Sequence, residues 1–437
     1  MNRRNFMQSS SLAAFGIFCH PLSPEILEFE VSKGIRDGLK ELQSQAYFSD
    51  DLRDPSNEAA WRKIQDLFPR VTSFTQLENG YFSHASYPVM KFYQERENYI
   101  QNRSSWFMRK EQEESIEKSR NALGEFFGWS GENLAFTRNT TESLNILIQG
   151  FPWKKGDEVV IGDQDYGSMN EAFEQAAQRY GIKLIIADVP VHPKKEDEVV
   201  EAYVKHITSN TRMLHLTHLI NLTGQVIPLD KICKAARASN KDLCIAVDAA
   251  HSVAHIDENW KQLDADVVAG SLHKWMCNPL GLGFLYMNSK WIPQVWPLMG
   301  DRNRPQTNIR RFEHQGTRPV QTIEALVPAI GLNKEIGLKN KEARLRYLQK
   351  NWTDTFQNYP KIELFVPEYE QGSGAIASLS VKGMSPNELA EKLWMDHHIF
   401  TVAINHPKIQ AVRVTPHLSN SLDDIQKFKS ALHHLVD

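Results

Sequence analysis

A regular alternation of short apolar runs with amphipathic stretches, beginning near residue 130, constrains the fold of this chain more than any other feature. The apolar runs are rich in β-branched residues, which predicts buried strands, and the stretches between them have helical periodicity. The predicted strands are residues 158–161, 183–187, 213–216, 244–247 and 266–269, and two of the predicted helices are residues 169–180 and 230–239. Strands joined by crossover helices pair in parallel, so the pattern predicts one large α/β domain.

The pattern changes after residue 335, where a charged helical stretch leads to new apolar segments at 376–381 and 411–414. This change predicts a smaller C-terminal α+β domain. A length of 437 residues exceeds the usual size of one hydrophobic core, which also favours two domains. The predicted parts are an N-terminal extension at 21–74, a large domain at 75–335 and a small domain at 336–437, with a solvated loop at 193–198.

Residues 1–20 differ in composition from the rest of the chain. Arg3 and Arg4 stand ahead of a short uncharged run, an order that is typical of a twin-arginine export signal. No clear small-x-small cleavage site is present and Pro21 follows closely, so an unprocessed tail is the alternative. We predict export to the periplasm through this signal, with a cytoplasmic location as the alternative.

The charge balance and the cysteine content exclude several classes of partner. Fifty basic and 53 acidic side chains give a formal net charge of -3, so no global field attracts nucleic acid or anionic lipid. No run approaches the roughly twenty apolar residues of a membrane span. Cys19, Cys233, Cys244 and Cys277 lack metal-ligand spacing and are too few for a disulfide framework. The sequence therefore predicts a globular protein without a nucleic-acid partner, a membrane span or a metal site.

The segment Ser271-Leu272-His273-Lys274-Trp275, directly after a predicted strand, carries the clearest chemical signal. A lysine just past a buried strand has a desolvated amine, and burial lowers the pKa of that amine, as a Schiff-base lysine requires. A surface lysine whose stem covers apolar groups is the alternative.

Asp248 ends the apolar strand predicted at 244–247. In open α/β sheets the carboxyl ends of the strands face the ligand crevice. A buried aspartate there needs a cationic partner, which a protonated pyridine nitrogen would provide. A helix cap is the alternative role for this residue.

The segment Thr137-Arg138-Asn139-Thr140-Thr141 is a strand end that turns into a helix. Hydroxyl groups and free backbone N–H groups at a helix start form a cradle for phosphate. Ser271 and His273 are placed to add donors to the same phosphate. A capping box without any ligand is the alternative reading of the segment.

Five motifs occur in this order: Thr-Glu-x-Leu-Asn, His-Leu-Ile-Asn-Leu-Thr-Gly, Val-Asp-Ala-Ala-His, Ser-Leu-His-Lys-Trp and Glu-His-Gln-Gly-Thr. Together they resemble the class V group of fold-type I pyridoxal-phosphate enzymes, which includes cysteine desulfurases and isopenicillin N epimerase. The resemblance extends over about residues 75–435. It implies a large domain with a mostly parallel seven-stranded sheet, a small C-terminal α+β domain, and pyridoxal 5'-phosphate as the cofactor.

The resemblance also implies roles for individual residues. Lys274 would carry the internal aldimine, Asp248 would pair with the pyridine nitrogen, and Tyr166 would stack on the cofactor ring. His251 stands where desulfurases have a glutamine, and it is a third catalytic candidate beside Lys274 and Asp248. The implied cofactor-binding residues are Asn139, Thr140, Tyr166, Asn221, Asp248, Ser271, His273, Lys274 and Thr317.

Partner and substrate positions follow from the same resemblance. Thr317 matches a position that reaches the phosphate of the neighbouring subunit, which implies a homodimer. Arg413 matches the arginine that grips the substrate carboxylate, a role suited to a planar bidentate donor. Asn79 falls where the N-terminal segment approaches the active site. Arg103, followed by Trp106 and Phe107, resembles the epimerase branch and would line the substrate pocket, with a solvated helix as the alternative.

Three functions remain open from the sequence. The first is an epimerase or aminotransferase that acts on an amino-acid substrate through an external aldimine. The second is a lyase that eliminates a β-substituent or cleaves a C–S bond. The third is a non-catalytic ligand-binding protein on the same fold. A persulfide-forming desulfurase is disfavoured because no cysteine follows Cys277, whereas desulfurases carry a nucleophilic cysteine in the C-terminal third.

Overall fold

The computed structural model of the protein describes residues 51–436. The predicted export signal at 1–20 and residues 21–50 of the predicted extension lie outside the described residues. Within residues 51–436, no helix is long and apolar enough to cross a membrane.

Thirteen strands occur in the described part of the chain. They are β1 (Thr75–Gln76), β2 (Leu134–Thr137), β3 (Glu158–Gly162), β4 (Lys183–Ala187), β5 (Thr211–Thr217), β6 (Cys244–Asp248), β7 (Val267–Ser271), β8 (Gly283–Met287), β9 (Ile362–Phe365), β10 (Ala377–Val381), β11 (Ile399–Phe400), β12 (Val402–His406) and β13 (Ile409–Val414). The predicted strands of the large domain thus correspond to β3, β4, β5, β6 and β7.

The helices of residues 51–436 connect and cover these strands. They are α1 (Glu58–Gln65), α2 (Tyr87–Arg103), α3 (Ser105–Lys110), α4 (Gln112–Phe127), α5 (Thr140–Gly150), α6 (Gly167–Tyr180), α7 (Glu196–Val204), α8 (Leu229–Ser239), α9 (Val320–Glu324), α10 (Leu326–Ile336), α11 (Leu338–Phe356), α12 (Pro386–His397) and α13 (Leu422–Val436). Short 3₁₀ helices span Gly131–Asn133 and Ile309–Glu313.

The central sheet has seven strands in the order β2-β8-β7-β6-β5-β3-β4. Only β8 runs against the others, because it pairs antiparallel with both β2 and β7. The strands β3, β6 and β7 are buried along their whole length, as expected for a sheet covered by helices on both faces. The mostly parallel seven-stranded sheet of a fold-type I enzyme is therefore confirmed.

A second sheet, of order β12-β13-β10-β9, is antiparallel throughout and forms the small C-terminal domain. In its core, side chains of α11, α12 and α13 pack against β10 and β13, which correspond to the apolar segments noted at 376–381 and 411–414. The predicted loop at 193–198 is wrong in its second half, because α7 begins at Glu196. Three acidic residues in the first turn of α7 favour this start through the helix dipole.

Candidate active site

The carboxyl ends of the parallel strands place most of the predicted residues around one cavity. β6 ends at Asp248, and Lys274 follows the end of β7 by three residues. Tyr166 and Asn221 follow β3 and β5, and β13 of the small domain carries Arg413. The cavity measures about 660 Å³. The predicted residues that line it are Asn139, Thr140, Tyr166, Asn221, Asp248, His251, Ser271, His273, Lys274, Thr317 and Arg413.

The Lys274 amine lies 3.0 Å from Nε2 of His251. Desolvation lowers the pKa of Lys274 to about 8, although the negative charge of Asp248 acts to raise it. Desolvation and the neighbouring Lys274 charge lower the pKa of His251 well below its ordinary value, so this imidazole stays neutral. Nδ1 of His251 accepts a hydrogen bond from the Trp275 indole at 3.4 Å, which leaves the ring proton on Nε2. The pair therefore presents a neutral histidine N–H to a nucleophilic amine.

Asp248 is buried at the floor of the cavity and accepts a hydrogen bond from the backbone N–H of Ala250 at 2.9 Å. Burial raises the pKa of this carboxyl, while the charge of His215, the Ala250 N–H and the charge of Lys274 oppose that rise. A carboxylate in this setting is stabilised by a cationic ligand group.

The start of α5 forms the opposite end of the cavity. The Asn139 side chain caps the helix by accepting from the Glu142 N–H at 2.9 Å, and the Thr140 N–H donates to the Ser271 hydroxyl at 3.0 Å. Gly283 opens β8 beside this turn, and a Cβ on it would lie 2.6 Å from Asn139 Cα. Only glycine lets the helix start approach β8 this closely. The result is a helix N-terminus lined by hydroxyl groups, which suits a phosphate.

Arg413 is held by Glu78, a residue that the sequence prediction did not include. Nη2 of Arg413 donates to one carboxylate oxygen of Glu78 at 2.6 Å, and Nε donates to the other at 3.3 Å. Nη1 donates to the backbone carbonyl of Asn221 at 3.0 Å. Both side chains are buried, so the guanidinium is fixed in one orientation at the cavity wall.

Two predicted substrate residues do not line the cavity. Asn79 is buried beside it and donates to the Thr415 carbonyl at 2.9 Å. Arg103 ends α2 and stacks on the ring of Tyr99 at 3.7 Å. Of its predicted companions, Phe107 is a core residue, and Trp106 is exposed but is not part of the cavity wall. The solvated-helix alternative with an aromatic core anchor describes this segment.

The cavity also includes residues that sequence reasoning missed. Thr217, Gln315 and Arg318 line its wall together with Arg138. Thr217 is the last residue of β5, and a polar side chain at a strand end was the signal that could have identified it. In the sheet, Thr217 is the partner of Asp248. In the described residues 51–436, no group of three or more His, Cys, Asp or Glu side chains is placed to hold a metal ion.

Comparison with known proteins identifies the family. The family model described as Aminotransferase class-V matches residues 84–404. The chain belongs to this family. That membership confirms the prediction of a class V enzyme that depends on pyridoxal phosphate.

Individual proteins and solved structures are also similar to this chain. Isopenicillin N epimerase of Streptomyces clavuligerus is 25% identical over 336 residues, which cover 73% of this chain and 84% of that protein. The apo structure of cysteine desulfurase from Thermococcus onnurineus has a TM-score of 0.74 at 23% identity, covering 86% of this chain and 98% of that one. The structure of the cystine C–S lyase C-DES has a TM-score of 0.75 at 20% identity, and the match covers 84% of this chain and 98% of that one. The likeness to these two structures is one of fold.

The donor set of the cavity fits the family's cofactor. Thr217 Oγ1, Asn221 Oδ1, His273 Nδ1 and Gln315 Nε2 line the cavity, are buried, and have no hydrogen-bond partner among residues 51–436. Buried polar atoms of this kind require a polar ligand. The pyridoxal phosphate ring hydroxyl and phosphate oxygens supply such groups, and its ring nitrogen suits Asp248. Burial and the Lys274 charge lower the pKa of His273 to about 4, so this histidine is neutral beside the phosphate cradle.

Proposed function

We propose that this protein is a pyridoxal-phosphate-dependent epimerase or aminotransferase that acts at the α-carbon of an amino-acid substrate. The observation that carries the proposal is the contact between the Lys274 amine and the neutral His251 imidazole, in the cavity that Arg413 also lines. A nucleophilic amine, a proton-bearing partner and a carboxylate receptor are the groups that α-proton chemistry requires. The similarity to isopenicillin N epimerases supports the epimerase branch without assigning their substrate.

Each residue has a distinct task in this proposal. Bound pyridoxal phosphate supplies an electron sink for the substrate α-carbon. Lys274 holds the cofactor and moves the α-proton at Nζ, and His251 exchanges a proton with Nζ through its Nε2. Asp248 keeps the ring nitrogen protonated. The hydroxyl groups of Thr140 and Ser271 hold the phosphate end in place.

Arg413 would receive the substrate carboxylate. Glu78 occupies the Nε and Nη2 edge of the guanidinium, and Asn221 takes one donor of Nη1. The edge between Nη1 and Nη2 remains for a second planar acceptor, which is the geometry of a bidentate carboxylate. A substrate with a free α-carboxylate next to its amino group fits this arrangement.

A C–S or other β-eliminating lyase is the second candidate. No cysteine follows Cys277, and Cys277 is buried with its Sγ 3.2 Å from Nε2 of His417. Burial raises the pKa of the Cys277 thiol, which disfavours the thiolate that a persulfide-forming desulfurase uses. A lyase that releases its leaving group directly needs no such thiolate.

We also propose a homodimer and export of the protein. Tyr81, Leu280 and Met299 line the cavity and are largely exposed, so the cavity has an apolar rim that a second subunit would cover. Thr317 lies in the same wall of its own chain, and its proposed reach to the partner's cofactor rests on the family resemblance alone. Light scattering of the purified protein tests the dimer, and a monomer at micromolar concentration would contradict it.

Product analysis tests the reaction. The protein loaded with pyridoxal phosphate is incubated with single amino acids in deuterated water, and Lys274→Ala is the control. An epimerase gives α-deuterium and both enantiomers, and an aminotransferase gives a keto acid only when a keto-acid acceptor is present. A lyase gives a keto acid and a released leaving group, such as sulfide from cysteine. Absence of exchange, transfer and elimination with every amino acid would refute the proposal.

A further inference from the structure

A buried ion pair that the proposed function does not use lies behind the cavity. Nδ1 of His215 is 2.8 Å from a carboxylate oxygen of Asp165, and each side chain is 1% exposed. The same Asp165 oxygen accepts the Gly162 N–H at 2.9 Å. Asp165 directly precedes Tyr166 of the cavity wall. Burying two charges this deeply is costly unless good geometry and further hydrogen bonds offset the loss of water, and here Oδ1 of Asp165 has no hydrogen-bond partner among residues 51–436.

The sheet register places His215 next to Asp248. In the parallel pair of β5 and β6, Thr217 is the partner of Asp248, and His215 is the partner of Ala246. Side chains alternate between the two faces of a strand, so His215, Thr217, Ala246 and Asp248 share one face. His215 therefore lies diagonally across from Asp248, within the range of diagonal side-chain interactions.

The charges on the neighbouring groups favour an imidazolium at this position. Burial opposes a charge on His215, but the Asp165 carboxylate raises the pKa of His215 above its ordinary value. The charge of His215 in turn lowers the pKa of Asp248, against the effect of burial. Tyr203 and Asp163 are further titratable groups near this pair; the Tyr203 phenol is neutral because burial and the charges of Asp165 and Asp163 raise its pKa well above the ordinary value. Nε2 of His215 is buried and has no hydrogen-bond partner among residues 51–436.

We propose that Asp165 and His215 are positioning residues for Asp248: the carboxylate of Asp165 holds a positive charge on His215, and that charge keeps Asp248 ionised for its pairing with the cofactor ring nitrogen. This inference rests on the proposed role of Asp248. His215 contacts neither substrate nor reacting atoms, so its effect passes through Asp248 alone. The ion pair also links the Tyr166 loop after β3 to β5, beside the strand that presents Asp248.

Cofactor selectivity tests this inference without any turnover. The probe is an analogue of pyridoxal phosphate in which a carbon replaces the ring nitrogen, and the measurement is the ratio of its dissociation constant to that of pyridoxal phosphate. His215→Asn keeps a donor for Asp165 but removes the positive charge. His218→Asn is a matched control, because the His218 side chain is equally buried but lies on the opposite face, with its Nε2 3.6 Å from Glu258. Burial lowers the pKa of His218 to about 3, so this imidazole carries no charge, and the hydrogen bond between His218 and Asp248 joins backbone groups.

We expect the wild type and His218→Asn to prefer pyridoxal phosphate to the same extent. In His215→Asn, the ratio of the analogue's dissociation constant to that of pyridoxal phosphate should be about tenfold smaller. Asp165→Asn should also lower this ratio, and it replaces His215→Asn in the test if that variant does not fold. A folded His215→Asn protein with the wild-type ratio would overturn the inference. A wild type without any preference would overturn the role of Asp248 as well, and failure of the wild type to bind pyridoxal phosphate would overturn the proposed function.

Discussion

Gly283→Ala is a sharp test of the phosphate cradle. The added Cβ would lie 2.6 Å from Asn139 Cα, 2.7 Å from Asn139 C and 2.8 Å from the Gly270 carbonyl oxygen. Ordinary contacts of a Cβ begin near 3.4 Å, so the start of α5 would have to move by about 0.8 Å. All three atoms belong to the backbone, and none can rotate away. Overpacking of this kind costs about 1–3 kcal/mol.

The shift displaces the start of α5 together with the Thr140 hydroxyl that is proposed to hold the phosphate, so we expect the dissociation constant of pyridoxal phosphate to rise about tenfold to a hundredfold. Gly300→Ala is the matched control, because its Cβ would meet nothing within 4 Å. The assay is titration of the apoprotein with pyridoxal phosphate, together with the melting temperature with and without the cofactor. If Gly283→Ala binds pyridoxal phosphate as tightly as Gly300→Ala does, the cradle is placed wrongly.

Three further predictions concern the amine, the carboxylate receptor and the export signal. Because the pKa of Lys274 is lowered to about 8, its neutral fraction and the rate of pyridoxal phosphate attachment should rise about tenfold per pH unit below pH 8 and level off above it. A rate that keeps rising beyond pH 10 would contradict this. Arg413→Lys keeps a charge opposite Glu78 but removes the planar fork, so KM for the amino-acid substrate should rise about tenfold to a hundredfold; an unchanged KM would argue against carboxylate binding. Deleting residues 1–20 should retain an active protein in the cytoplasm, and its appearance in a periplasmic fraction would refute the export proposal.

Five strands of the large-domain sheet were predictable because they are short and apolar; β3, β6 and β7 are buried along their whole length, whereas the edge strand β4 is partly exposed. The predicted strand at 183–187 matches β4, and the one at 244–247 matches β6 except for Asp248 at its end. The end of β2 at Thr137 was predicted, but the extent of β2 and the whole of β8 were not. β8 follows a glycine-containing stretch and pairs antiparallel with β7, so it does not continue the strand and helix alternation on which the other strands were identified.

The candidate site was predictable where a functional side chain follows a strand end, as Asp248 and Lys274 do. Residues that act through distant partners left no such signal. Glu78 and Arg413 are 335 positions apart, and only the pairing of the small domain with the N-terminal segment brings them together. In the sequence, His215 is a single polar residue within an apolar strand. Its partner Asp165 lies 50 positions away, so the sequence alone did not reveal the pair.

Reduction of the cofactor-loaded protein with borohydride, followed by peptide mapping, tests whether Lys274 holds pyridoxal phosphate. We expect the visible absorption of bound pyridoxal phosphate to disappear on reduction and the phosphopyridoxyl mass to lie on Lys274. Lys274→Ala should carry no such mass at this position. A modification at another lysine would contradict the role of Lys274, and a protein that stays colourless with added pyridoxal phosphate would contradict cofactor binding at this site.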